Sequence, residues 1–164
     1  MNFPINIERR DASKASGRDF DLNFWIAAPP KPVEVKAKVD DTVFSAKTLS
    51  KTIKDASGQI PQGQIGFLFL RIPPRWVGPE LEAIFHDYMA DALTSRDESS
   101  TRHRISVVFS AVDKVYGSPQ EVTVSRHWDL VKAEHCPPHD WEVALQLKQF
   151  DESGLTHMAP AAPF

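Results

Sequence analysis

At 164 residues, with 41% hydrophobic and 25% charged residues, the chain has the make-up of one globular domain able to bury a core without disulfide or metal staples. A formal net charge of -3 argues against a nonspecific nucleic-acid coat but leaves room for a local basic groove. A single cysteine excludes an internal disulfide framework, no apolar run is long enough to span a bilayer, and Met1 to Asn6 lacks the layout of a secretory leader, so the cytoplasm is the expected address.

Taken in order, Phe3 to Arg9 reads as a short strand with Phe3, Ile5 and Ile7 on one face. Asp11 to Arg18 is a polar turn. Two alternating stretches follow, Asp19-Phe20-Asp21-Leu22-Asn23-Phe24-Trp25-Ile26 and Val33-Glu34-Val35-Lys36-Ala37-Lys38-Val39. Alternation is the period of a half-buried strand, and the proline-rich Ala27 to Pro32 between them favours reversal. The expectation is an antiparallel hairpin whose apolar face holds Phe20, Leu22, Phe24, Ile26, Val33, Val35, Ala37 and Val39. Asp19, Asp21, Asn23 and Trp25 then share the polar face with Glu34, Lys36 and Lys38.

Ser45 is placed to cap a helix from Ala46 to Ser57 that stops at Gly58. Its apolar stripe is Ala46, Leu49, Ile53 and Ala56, with Lys47, Lys51 and Lys54 on other faces. After Gln59-Ile60-Pro61, the stretch Ile65 to Ile72 is apolar without alternation, as in a strand covered on both faces, and completes a βαβ crossover. Gly78-Pro79 opens a second helix with a stripe of Leu81, Ile84, Phe85, Tyr88, Met89 and Ala92. Thr94 to Thr101 is a polar loop. Arg102 to Val112 and Glu121 to Trp128 read as strands around a turn at Tyr116-Gly117-Ser118-Pro119. Trp141 to Phe150 fits either period. The expected organisation is one α/β domain over residues 1–150 and a flexible tail over 151–164.

Carboxylates on adjacent strands, with an acid two residues before a lysine, have the residue types of a hard-cation site. Mg²⁺ takes one or two carboxylates and leaves room for water and phosphate. Such an ion acidifies a water and neutralises charge on a phosphodiester, and a nearby ammonium stabilises the transition state. Asp21, Glu34 and Lys36 can meet in this way. An ordinary solvated hairpin face carries the same residue types, so spacing alone does not choose between the two.

Asp21, twelve residues, Glu34-Val35-Lys36, a helix, Gln59-Ile60-Pro61 and the buried strand Ile65 to Ile72 together resemble the PD-(D/E)XK nuclease superfamily. The resemblance covers about residues 3–72. It implies a restriction-endonuclease-like mixed sheet with a β-hairpin, a βαβ crossover and flanking helices. It also implies Mg²⁺, with Mn²⁺ able to substitute, held by Asp21, Glu34 and the Val35 carbonyl. Lys36 would be the catalytic lysine, Gln59 would stand near the site, and the substrate would be nucleic acid, DNA before RNA. Phe20 replaces the proline of the family motif, and Asp19 has the same parity as Asp21, so either aspartate could be the ligand. Met1 to Asp19 has no room for the first family helix, which suggests an absent N-terminal domain or a degenerate, non-catalytic relative; a homodimer is a further expected partner state.

Other constellations are weaker. Lys47 and Lys51, with Lys54, could touch a nucleic-acid backbone or simply solvate their helix. Arg102-His103-Arg104 with Arg71, Arg75 and Arg96 could bind phosphate. His135-Cys136-Pro137-Pro138-His139, with His127 and His157, has zinc-ligand types but reads better as a rigid loop. Two readings compete with the nuclease: a non-enzymatic relative of the same fold that binds protein or nucleic acid, and an unrelated α/β interaction module.

Overall fold

A computed structural model describes residues 5–6, 22–24, 30–38, 42–76, 79–94, 104–118 and 121–154. In chain order the elements are β1 (Ile5–Asn6), β2 (Leu22–Phe24), β3 (Lys31–Ala37), α1 (Ala46–Gln59), β4 (Gly66–Arg71), α2 (Pro79–Leu93), β5 (Ile105–Ser118), β6 (Glu121–Lys132) and α3 (Pro138–Gly154), with a single 3-10 turn at Pro74–Trp76. The six strands form one mixed sheet in the order β1-β2-β3-β4-β5-β6. β3, β4 and β5 are mutually parallel, and the pairs β1–β2, β2–β3 and β5–β6 are antiparallel. The expected hairpin and the expected crossover are both present, and a second crossover through α2 follows the first.

Each helix starts where its local chemistry allows. Ser45, in extended backbone, accepts from the Thr48 amide at 3.0 Å and so satisfies one orphan donor of α1. The helix runs through Gly58 and ends one residue later, at Gln59. Pro79 sits at the first position of α2, where its missing N–H costs nothing. Pro138 does the same for α3, and Asp140 places a carboxylate in the first turn, at the positive end of the helix dipole. The segment Trp141 to Phe150, ambiguous by period, is therefore helical, and α3 continues to Gly154.

Three layers result. Leu68, Leu70, Val108, Val112 and Val131 of the sheet pack with Leu49, Ile53 and Ala56 of α1 and Phe85, Met89 and Leu93 of α2. Val33, Phe67, Val107, Phe109 and Leu130 pack on the other face with Val143 and Ala144 of α3. Helices on both faces of a parallel core are what the unbroken apolar run in β4 demands. Above the C-terminal ends of the parallel strands, Trp76 Nε1 and Arg75 Nε both donate to the Thr42 carbonyl, at 2.7 and 3.2 Å. Phe44 meets Trp76 edge-on at 5.3 Å, which ties the β3–α1 connection to the β4–α2 connection.

Three expectations need correcting. β3 begins at Lys31, with Pro32 opposite Asn23, so part of the expected turn belongs to the strand; Pro32 lacks an N–H but still offers its carbonyl. The turn expected at Tyr116 to Pro119 falls later, because β5 runs on to Ser118 and pairs with Glu121. Finally, alternation in β3 does not separate core from solvent. Val33 and Glu34 are both buried, whereas Val35 and Ala37 are exposed. In a three-layer fold the two faces of a strand look at different helices, and cover depends on how far each helix reaches. Among the described residues, no helix is long and apolar enough to cross a membrane.

Candidate functional site

β3 is the strand on which the candidate residues are placed. It lies between β2 and β4, with Glu34 opposite Leu68 and Lys36 opposite Leu70. Both leucines belong to the α1–α2 core, so the strand's two-residue period sends Glu34 and Lys36 to that same face. Glu34 is 2% exposed and the Lys36 side chain 34% exposed. The Lys36 ammonium folds back and donates to Glu34 Oε1. A carboxylate taken out of water needs such a charge-assisted partner, and the half-exposed lysine can supply one while keeping contact with solvent.

The remaining expected residues are distributed around this pair. Val35 is opposite Phe69, so its side chain lies on the α3 face, 43% exposed, and only its backbone carbonyl could join Glu34 and Lys36. Gln59 is half-buried at the last position of α1. It precedes Ile60, which lies close to Gly66, beside Pro32 at the start of β3. Gln59 therefore lies towards the N-terminal end of β3, whose middle residue is Glu34. Lys47, Lys51 and Lys54 are exposed, whereas Leu49, Ile53 and Ala56 of the same helix are buried against the sheet. The lysines thus stand on the side of α1 turned away from the sheet, about a helix diameter (~10 Å) from the face that carries Glu34. Asp21 and Asp19 lie outside the described residues. β2 begins at Leu22, paired with Val33, so the described ladder ends one rung short of Glu34.

Three of the arginines weighed as a phosphate patch make contacts within the chain. Arg71 Nε is 3.4 Å from Asp113 Oδ2, Arg75 donates to the Thr42 carbonyl, and Arg104 Nη1 donates to the Ile60 carbonyl at 2.9 Å. The last contact caps the C-terminal end of α1, where carbonyls lack intrahelical partners. Arg96, Arg102 and His103 lie outside the described residues. Among the described residues, no three His, Cys, Asp or Glu side chains come together as a metal-holding group. His135 and Cys136 lie in the connection between β6 and α3, and His139 is in the first turn of α3; the His127 side chain and His157 lie outside the described residues. Burial, and secondarily the Asp140 carboxylate, push the Cys136 thiol up to about 11 against the partial offset of Lys132 and Lys31.

One tie near the candidate site has no counterpart in the sequence reading. Lys31 Nζ lies 2.9 and 3.0 Å from the two carboxylate oxygens of Asp140, which is 2% exposed. The bond fastens the start of β3 to the first turn of α3, 109 residues later in the chain. Neither partner stood out in the sequence, where Lys31 falls in the expected proline-rich turn and Pro138 in the expected rigid loop. Comparison with protein-family models and with curated proteins finds no match.

Proposed function

We propose that this chain is a metal-dependent nuclease-like domain that hydrolyses phosphodiester bonds in DNA. The observation that carries the proposal is the buried Glu34 carboxylate ion-paired with Lys36 on the strand that leads from a hairpin into a βαβ crossover. The order hairpin, Glu-x-Lys strand, helix and buried parallel strand supports the resemblance to the PD-(D/E)XK nucleases. The donors at this point are a carboxylate, backbone carbonyls and an amine, with no thiol, which suits a hard cation such as Mg²⁺. When bound, the ion would supply an acidified water and charge neutralisation on the phosphodiester. Glu34, the Val35 carbonyl and Asp21 would hold it. Lys36 would orient the attacking water and stabilise negative charge that develops on the phosphate. The proposal requires the β2–β3 ladder to continue one rung past Leu22–Val33, which would bring Asp21 opposite Glu34.

The burial of Glu34 also favours a second reading, in which the ion pair is structural and the domain binds nucleic acid or protein without cutting. Incubation with plasmid and single-stranded DNA in Mg²⁺, Mn²⁺ or chelator separates the two. The nuclease reading expects metal-dependent cleavage that disappears in Glu34→Ala and Lys36→Ala variants that retain their fold. Retained binding without cleavage under every metal condition sinks it and leaves the binding module.

A further inference from the structure

The parity of the β5–β6 ladder decides which backbone groups of β6 face outward. Ala133 donates its N–H to the Ser106 carbonyl at 2.8 Å, which continues the register that pairs Val131 with Val108 and Asp129 with Ser110. Odd-numbered residues of β6 therefore address β5 with both backbone groups, and even-numbered residues address the opposite side. Among the described residues β6 ends the sheet, so those even-numbered amides lie along its outer edge.

Leu130 is one of them, and its N–H does not stand open. It is 2.9 Å from Asp129 Oδ1, while Asp129 Oδ2 is 3.3 Å from His86 Nδ1 on α2. The imidazole and carboxylate are 54% and 44% exposed, so their attraction by itself stabilises the fold little. Their placement does something else. A long edge strand is a template for another strand, and charged side chains at the edge are a means of blocking it.

We propose that Asp129, braced by His86, is an edge guard that keeps β6 from pairing with β6 of a second copy of this chain. A second copy is the natural occupant because β6 is 12 residues long and antiparallel pairing about a two-fold axis is self-complementary. With the axis at His127, Val124 would oppose Leu130 and Arg126 would oppose Trp128, and the Leu130 N–H would be a donor the new ladder needs. Asp129 occupies that donor from within its own chain. The inference concerns a strand three places along the sheet from β3 and stands independently of the proposed nuclease activity.

Amide exchange and sedimentation test it together. In Asp129→Ala the Leu130 amide is expected to exchange about tenfold faster, the scale of one lost hydrogen bond. That variant is also expected to form a larger species than wild type as concentration rises. Asp129→Asn keeps an oxygen acceptor at the same place and is expected to behave as wild type. His86→Ala leaves the strand sequence intact and provides a test should Asp129→Ala fail to fold; its Leu130 amide is expected to exchange about two- to threefold faster, a partial loss of the same bond. An unchanged Leu130 exchange rate in either folded alanine variant overturns the guard. So does an Asp129→Ala chain that sediments as wild type at every concentration.

Discussion

Glu34 and Lys36 stand two residues apart on one face of β3 and form an ion pair whose carboxylate is 2% exposed while its lysine reaches solvent. The two partners therefore do not carry equal risk. Removing the lysine takes a charge-assisted partner from a buried carboxylate, whereas neutralising the glutamate leaves an ammonium that can turn to water.

The first prediction follows from that asymmetry. Lys36→Met is expected to destabilise the fold by about 2–3 kcal/mol, below the range for fully buried pairs because part of the site is wet. Glu34→Gln should cost about 1 kcal/mol, the scale of a hydrogen bond weakened by loss of charge. The double variant should cost less than the two singles together, since the interaction between the two side chains can be lost only once. Urea unfolding of the four proteins gives the cycle; additive costs would mean that the pair is not coupled.

Two glycines make a contrasting pair of controls. A Cβ at Gly66 would lie 2.3 Å from the Pro32 carbonyl oxygen and 3.0 Å from Ile60 Cδ1, and the closer atom is backbone that cannot swing aside. Gly66→Ala is expected to cost about 2–3 kcal/mol through forced displacement of β3 from β4. Gly58 lies within α1 and a Cβ there meets nothing within 4 Å. Gly58→Ala should instead raise stability by about 0.5–1 kcal/mol, the helical preference of alanine over glycine. Thermal unfolding of both variants reads the two signs directly.

Cys136 offers a pH-dependent prediction. Its thiol is raised from about 9 to about 11 in the fold, chiefly by burial, so the folded state holds this proton more tightly than the unfolded state. The contribution to stability is complete below about pH 9 and is lost as pH rises from 9 towards 11, because the unfolded chain releases the proton first. Cys136→Ser should flatten the alkaline limb of the stability profile. In the wild type, alkylation at pH 8 should be much slower than for a free thiol and should quicken towards pH 11. Fast modification of the native protein at pH 8 would contradict this.

Much of the architecture could be read from residue order alone. The cap at Ser45, the lysines outside and leucine and isoleucine inside on α1, the proline start of α2 and the apolar run of β4 are local signals, and each led to the right element. The ambiguous stretch is α3, whose first residues, Pro138 and His139, belong to the segment that reads as a rigid loop. The candidate pair was also legible, because residues i and i+2 of a strand must share a face.

The environment of that pair was not legible. Alternation says that Glu34 and Val35 point opposite ways, but not which of those ways is covered. That depends on α1 and α3, elements that begin 12 and 104 residues beyond Glu34 and whose reach over the sheet is set by packing. For the same reason sequence did not show that Arg71, Arg75 and Arg104 reach Asp113, Thr42 and Ile60, or that Lys31 meets Asp140, 109 residues away. Local sequence determined the elements and the faces of each strand, because those follow from backbone periodicity. Burial and partner choice were decided by tertiary structure, because they are properties of surfaces that meet only after the chain has folded.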